Sequence, residues 1–274
     1  MTREPDGLAE GLFIQREERD PLRAAAQGAR PELPKRFYKA AEVAANDGGF
    51  AVVLDGKTVK TPGRRLVVTP SLALAQAQAE EWARQGERID PSSMPLTRLV
   101  NSAIDGVAGQ MGEVEADVVK YGRSDLVSYR ASEPVRLALA QAKAWNPLVV
   151  FAEEKLGAEL VSTEGVIFVE QPETAVRALA LAIRRYVGDD AASPFRLAAL
   201  HIMTTLTGSS VIALAVAHRE IDVDAAWTAA HVDEDFQMNA WGFDEEALVR
   251  RQRRFEEMKA AAFVSNAMGF PPET

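Results

Sequence analysis

Phe50-Ala-Val-Val-Leu54, Asp55-Gly56 and Lys57-Thr-Val-Lys-Thr61 read as two strands joined by a two-residue turn. Asp-Gly between β-favouring runs is a strong short-range hairpin signal, because both central residues of the favoured turn need positive φ. Asn46-Asp-Gly-Gly49 marks a turn before this hairpin, and Pro62-Gly63 marks one after it, leading into Leu66-Val-Val-Thr69. The reading is a small antiparallel meander within residues 36–69. Thr69-Pro70 then resembles a helix N-cap followed by proline at the first helical position, and Leu72, Ala75, Ala79 and Trp82 recur at helical spacing.

Beyond Pro91 the period stays near 3.6. Leu96, Leu99, Val100, Ala103, Ile104 and Val107 keep the spacing of one apolar helix face. Further helices are expected at 132–144, 147–156, 172–187, 194–206, 209–218, 224–240 and 244–262, interrupted by short strands at Leu160-Val161 and Val166-Ile-Phe-Val169. The fold class is therefore α+β, with a small antiparallel β-rich domain over 36–90 and a larger helical domain over 91–274. Residues 1–35, in which arginines are mixed with acids, read as a flexible lead-in, a docked arm being the alternative. Acid-poor composition marks transit peptides, so a bacterial cytoplasmic protein is expected.

The chain has 274 residues, and 47% of them are hydrophobic, enough for a substantial core. With 31 basic against 40 acidic side chains the formal net charge is −9, which opposes binding to nucleic acid or an anionic membrane. There are no cysteines, which removes disulfides, thiolate metal sites and cysteine nucleophiles together. The longest apolar run, Val211–Ala217, is far short of the ~20 residues that cross a bilayer.

Motifs that could carry chemistry are incomplete. Ala51 to Thr58 resembles a phosphate-binding loop, but alanine stands where its first glycine is required and Gly56 joins two strands instead of opening a helix. Ser209 in Thr207-Gly-Ser-Ser210 lacks the following glycine of a nucleophile elbow, because Ile212 occupies that place. A helix start with Ser209 or Ser210 as cap explains it as well. His231, Glu234 and Asp235 share one helical face, too few ligands for a tight metal site and equally suited to a solvated face. The Arg250, Arg251, Arg253 and Arg254 run is surrounded by Glu245, Glu246, Glu256 and Glu257, which favours i, i+4 pairing on an exposed helix over a nucleic-acid footprint. No cofactor is implied.

A longer pattern resembles the assembly chaperones specific for the alpha subunit of the ATP synthase F(1) sector, found in mitochondria and alpha-type proteobacteria. It is carried by Arg36-Phe-Tyr-Lys39, Leu54-Asp-Gly-Lys57, Glu81-Trp82, Ile89-Asp-Pro91, Met94-Pro-Leu-Thr97 and Asn101-Ser-Ala-Ile-Asp105. Tyr121, Ser124-Asp-Leu126, Tyr129-Arg-Ala131, Gln141, Trp145-Asn-Pro147, Gly208-Ser209, Asp233-Glu-Asp-Phe-Gln237 and Trp241-Gly242 continue it. The resemblance implies a protein without enzymatic activity that binds unassembled alpha subunit, prevents its aggregation and hands it to the beta subunit. It also implies the mitochondrial matrix as the compartment of eukaryotic relatives; a monomer is expected. Asp233, Glu234, Asp235, Gln237, Trp241 and Gly242 are the client-binding residues it implies, while Asn239 stands where relatives carry glutamate. The competing readings are packing alone for the tryptophans and a solvated helix face for the acids. A reading from another class is a hydrolase or transferase using Ser209 and a histidine in a crevice between the two domains; a histidine within hydrogen-bond reach of Ser209 would favour it.

Overall fold

The computed structural model describes residues 33–271 apart from 166 and 243, so most of the expected lead-in over 1–35 lies outside the described residues. Two compact units divide between Gly106 and Val107.

In the first unit, β1 (Ala41–Asn46) pairs antiparallel with β2 (Gly49–Leu54), in a register running from Ala41 opposite Leu54 to Asn46 opposite Gly49. The turn after β2 has positive φ at both Asp55 and Gly56, as the dipeptide predicts. Its Asp55 carboxylate accepts the backbone N–H groups of Lys39 and Ala40 at 2.9 to 3.1 Å, tying the hairpin to the approach to β1. The pairing departs from a simple meander. β3 (Lys57–Thr58) and β4 (Val68–Thr69) share one edge of β2, opposite Val53-Leu54 and Phe50-Ala51 respectively. β2 is thus the middle strand, which is why Ala51 to Leu54 are all buried instead of alternating. Gly49 is obligatory here, since a Cβ at that position would lie 2.2 Å from the Thr69 carbonyl oxygen.

α1 (Leu72–Ala83) packs on β1 and β2. Its cap is Ser71, whose hydroxyl accepts the Leu74 N–H at 3.3 Å, and not the expected Thr69. α2 (Pro95–Asp105) has no side-chain cap from its own N-cap residue, Met94. The buried Glu81 of α1 replaces it: its carboxylate accepts the Leu96 and Thr97 N–H groups and the Thr97 hydroxyl, each at 2.8 Å. At the other end Asp105 accepts the Thr61 hydroxyl and the Gly63 N–H, both at 2.8 Å. These bonds place α2 with the sheet, whereas a division at residue 90 would leave it with the helices that follow.

The second unit contains α3 (Met111–Gly122), α4 (Val135–Leu156), α5 (Glu173–Val187), α6 (Ser193–Thr207), α7 (Ser210–Ala217), α8 (Val223–Ala230), α9 (Val232–Trp241) and α10 (Glu245–Met268). α6 is the hub, packed by α3, α5, α7 and α10, and Leu197 to Leu200 are wholly inaccessible. A helix apolar on all sides has to be central. α7 is likewise buried along its whole length. Its N-terminus carries Ser209, whose hydroxyl accepts the Ile212 N–H at 3.0 Å. The fully buried Asp125 adds to it, accepting the Ser210 hydroxyl and the Val211 N–H at 3.1 Å. Gly208, at φ +69, makes the reversal from α6.

Three expectations are corrected. The helices expected at 132–144 and 147–156 are joined in one helix, α4, which starts at Val135 and runs through Pro147. Trp145, Leu148 and Phe151 are buried around the proline, and that packing outweighs its missing hydrogen bond. The expected helix 224–240 breaks at His231 into α8 and α9. The expected strands at 160–161 and 166–169 are absent among the described residues; β6 is Thr163–Glu164, parallel to β5 (Tyr129–Arg130).

Two outcomes test this description. Glu81→Ala leaves two buried helix N–H groups without acceptors and should lower unfolding free energy by about 1–3 kcal/mol in urea denaturation. His218 lies edge-on to Phe151 and Phe270 at 5.5 and 4.8 Å, and burial holds its pKa below the ordinary 6.5. The unfolded chain then binds the proton more readily, so this residue's contribution is lost as pH falls below about 6.5. The thermal midpoint of His218→Phe should accordingly fall less than that of the parent between pH 7 and pH 5.

Candidate functional site

α9 owes its start to His231, whose backbone (φ −117, ψ 23) turns the chain out of α8. His231 Nδ1 lies 2.8 Å from the Trp227 carbonyl oxygen, so that nitrogen carries the donated proton, and the ring packs on Trp227 with centroids 3.9 Å apart. Burial lowers its pKa, which keeps the imidazole neutral near pH 7. Its Nε2 sits 4.0 Å from Glu234, too far for a hydrogen bond.

The three acids face three ways. Asp233 turns inward and accepts the Gln141 Nε2–H at 2.6 Å, while Gln141 Oε1 accepts the Ala131 N–H at 2.7 Å. Because a backbone N–H only donates, the amide of the buried Gln141 has one permitted orientation, which fixes the Asp233 carboxylate. Arg130 donates to the Gln141 carbonyl oxygen at 3.2 Å and lies 5.1 Å over the Trp145 ring. Trp145 in turn donates its indole N–H to Ala229 at 2.7 Å. Asp235 pairs with Arg251 of α10. Glu234 is exposed, as are Gln237, Asn239 and Gly242. Trp241 is 90% exposed at the end of α9, where Gly242 (φ +88) reverses the chain. Packing therefore accounts for Trp145 but not for Trp241. Beside α9 an open groove of about 490 Å³ is lined by Trp227, Leu248, Val249, Arg251, Gln252 and Phe255.

The two serines and three histidines are each engaged elsewhere in the fold. Ser209 and Ser210 are buried and occupied as helix caps. His201 bonds Asp117 at 2.8 Å, His218 packs between two phenylalanines and His231 packs on Trp227, so the serine–histidine partnership of the hydrolase reading is not formed. Among the described residues no group of three or more His, Asp or Glu could hold a metal ion, and Asp235 pairs with Arg251. Gly56 lies in the turn between two strands, and Lys57 opens β3. Of the basic run, Arg250 reaches Asp244 and Glu246, Arg251 reaches Asp235, and Arg254 donates to the Leu206 carbonyl at 3.2 Å. No helix among the described residues is long and apolar enough to cross a membrane.

Known proteins match this architecture. The ATP12 chaperone protein family profile matches residues 35–153. Atp12 from Paracoccus denitrificans superposes with a TM-score of 0.78 at 40% identity, over 86% of this chain and 98% of that one. The Atu1473 protein of Agrobacterium tumefaciens gives 0.81 at 42% identity, over 95% of each chain. The mitochondrial atp12 protein of Schizosaccharomyces pombe is 24% identical over 226 residues, 78% of this chain and 75% of the relative. The fold and these matches define an ATP synthase assembly chaperone. The chain belongs to the ATP12 chaperone family.

Of the expected site residues, Glu234, Gln237, Trp241 and Gly242 lie on the outer side of α9, whereas Asp233 and Asp235 are turned to α4 and α10. Gln141 and Trp145 stand in the family pattern, but their bonds, to Asp233 of α9 and to Ala229 of α8, span 92 and 84 residues and have no local signal. The groove liners Leu248 and Val249 sit inside a charged run that masks them. A double-mutant cycle of Gln141→Ala and Asp233→Ala should give a coupling free energy of about 1 kcal/mol in urea denaturation, as expected for bonded partners.

Proposed function

We propose that this chain binds the unassembled alpha subunit of the ATP synthase F(1) sector, covers its assembly surface and releases it to the beta subunit, acting as a monomer in the bacterial cytoplasm. The observation that carries the reading is Trp241: a large aromatic side chain almost wholly in solvent, at the end of a helix whose outer side bears Glu234 and Gln237, beside an aromatic-lined groove. Aromatic side chains left exposed in one state and buried in another are typical anchors of protein interfaces. Family membership supplies the client class, and the acidic balance of the chain favours a client surface with basic character. Masking needs no bond chemistry. The cover leaves by mass action when the proper partner binds the client more tightly.

Purified alpha subunit should stay soluble when mixed with this chain without nucleotide, and equal precipitation with and without it would remove the client assignment. Glu234→Lys with Trp241→Ser changes two exposed side chains. The pair should weaken capture at least tenfold in titration calorimetry, since interface anchors are worth ~2 kcal/mol or more, while leaving the thermal midpoint unchanged. Unchanged affinity would take α9 out of the interface.

A further inference from the structure

Between α4 and α5 the chain makes an excursion from Gly157 to Gln171 that carries two neighbouring apolar side chains in solvent. Ile167 is 71% exposed and Phe168 67%. Single exposed hydrophobics are ordinary, but two adjacent ones on a protruding segment are not.

The segment is built to hold them there. Its neck is closed by the buried Gln171, whose amide accepts the Val161 N–H and donates to the Val161 carbonyl oxygen, both at 2.8 Å, as a neighbouring strand would do. β6 pairs with β5, and the Gly165 N–H donates to the Arg130 carbonyl oxygen at 2.8 Å. Arg130 in turn bonds Gln141, and Gln141 holds Asp233. The apolar tip and α9 therefore stand at the two ends of one hydrogen-bonded chain of residues.

Charge selects among possible occupants. From Gly157 to Gln171 the sequence holds Glu159, Glu164 and Glu170 and no Lys, Arg or His. All three glutamates are exposed. An anionic lipid surface would meet these carboxylates with like charge, and so would the same loop of a second copy of this chain. A protein surface with an apolar recess bordered by lysines or arginines would meet them with opposite charge.

We infer that the Gly157–Gln171 loop is a second client-docking element, which inserts Ile167 and Phe168 into an apolar, basic-rimmed recess of the same unassembled subunit that α9 engages. The inference rests on the client reading above and adds a separate contact to it. Two contacts on one framework raise affinity beyond either alone, because the second forms at high effective concentration.

The test uses the full chain and purified F(1) alpha subunit, comparing the parent with Ile167→Ser/Phe168→Ser and, in case that pair folds poorly, Phe168→Ser alone. Both side chains are exposed, so the thermal midpoint should not change. Affinity for alpha subunit should fall at least tenfold in the double variant and by a smaller factor in the single one. If the parent binds alpha subunit and both variants bind it equally well, the loop is no docking element. Failure of the parent itself to bind removes the client reading, and this inference with it. Co-sedimentation of the parent with phosphatidylglycerol vesicles that the double variant loses would assign the tip to membranes instead. A concentration-dependent dimer in sedimentation velocity that the double variant loses would assign it to self-association, and either result overturns the inference.

Discussion

The first N–H groups of a helix have no partner within it, and where the helix start is buried water cannot supply one. Each unit meets this constraint with a carboxylate from elsewhere in the chain. Glu81 reaches from α1 to the start of α2, and Asp125 reaches from the segment after α3 to the start of α7. The positive end of the helix dipole favours the negative charge in both places. Burial nevertheless pushes both pKa values up, so desolvation outweighs the donated bonds at each carboxylate. The arrangement persists because removing either partner would leave buried groups unpaired, at about 1–3 kcal/mol apiece. The α6–α7 core, and the helices packed on it, depend on the second of these caps.

Sequence pattern reached far into the fold where the cause is local. Asp55-Gly56 sets its turn through two positive φ values, and Gly208-Ser209 marks the α6 to α7 reversal through a left-handed glycine followed by a capping hydroxyl. It failed where distant packing decides. Pro147 looks like a helix end, yet α4 passes through it because Trp145 and Leu148 are already fixed in the core. β4 pairs with β2, while the chain between β3 and β4 folds back on itself through a single bridge of Lys60 to Leu66, and the close approach of Thr69 to Gly49 is a contact no local pattern reveals. β6 has only two paired residues and no run long enough to announce it.

The candidate site divides in the same way. Its acids stand together in the sequence, but a helix turns consecutive residues about a hundred degrees apart, so α9 sends Asp233, Glu234 and Asp235 to three different surroundings. Two become part of the framework through Gln141 and Arg251, and one is left for solvent or a partner. Trp241 is set apart from Trp145 only by its position at the helix end, which no spacing rule reveals. The resulting surface has aromatic and aliphatic groups beside acids, held on helices that are anchored at both sides. Such a surface suits recognition of a bulky neighbour more than the alignment of reacting atoms.

A cover that acts by occupying an assembly surface must be removable by the partner that belongs there. The direct measurement is size-exclusion chromatography of a preformed complex between this chain and alpha subunit, before and after addition of beta subunit. The account predicts that the chain elutes with alpha at first, and that beta then moves alpha into an alpha–beta species while the chain emerges free. A stable complex that retains the chain after beta is added, or one that beta cannot enter, would contradict it.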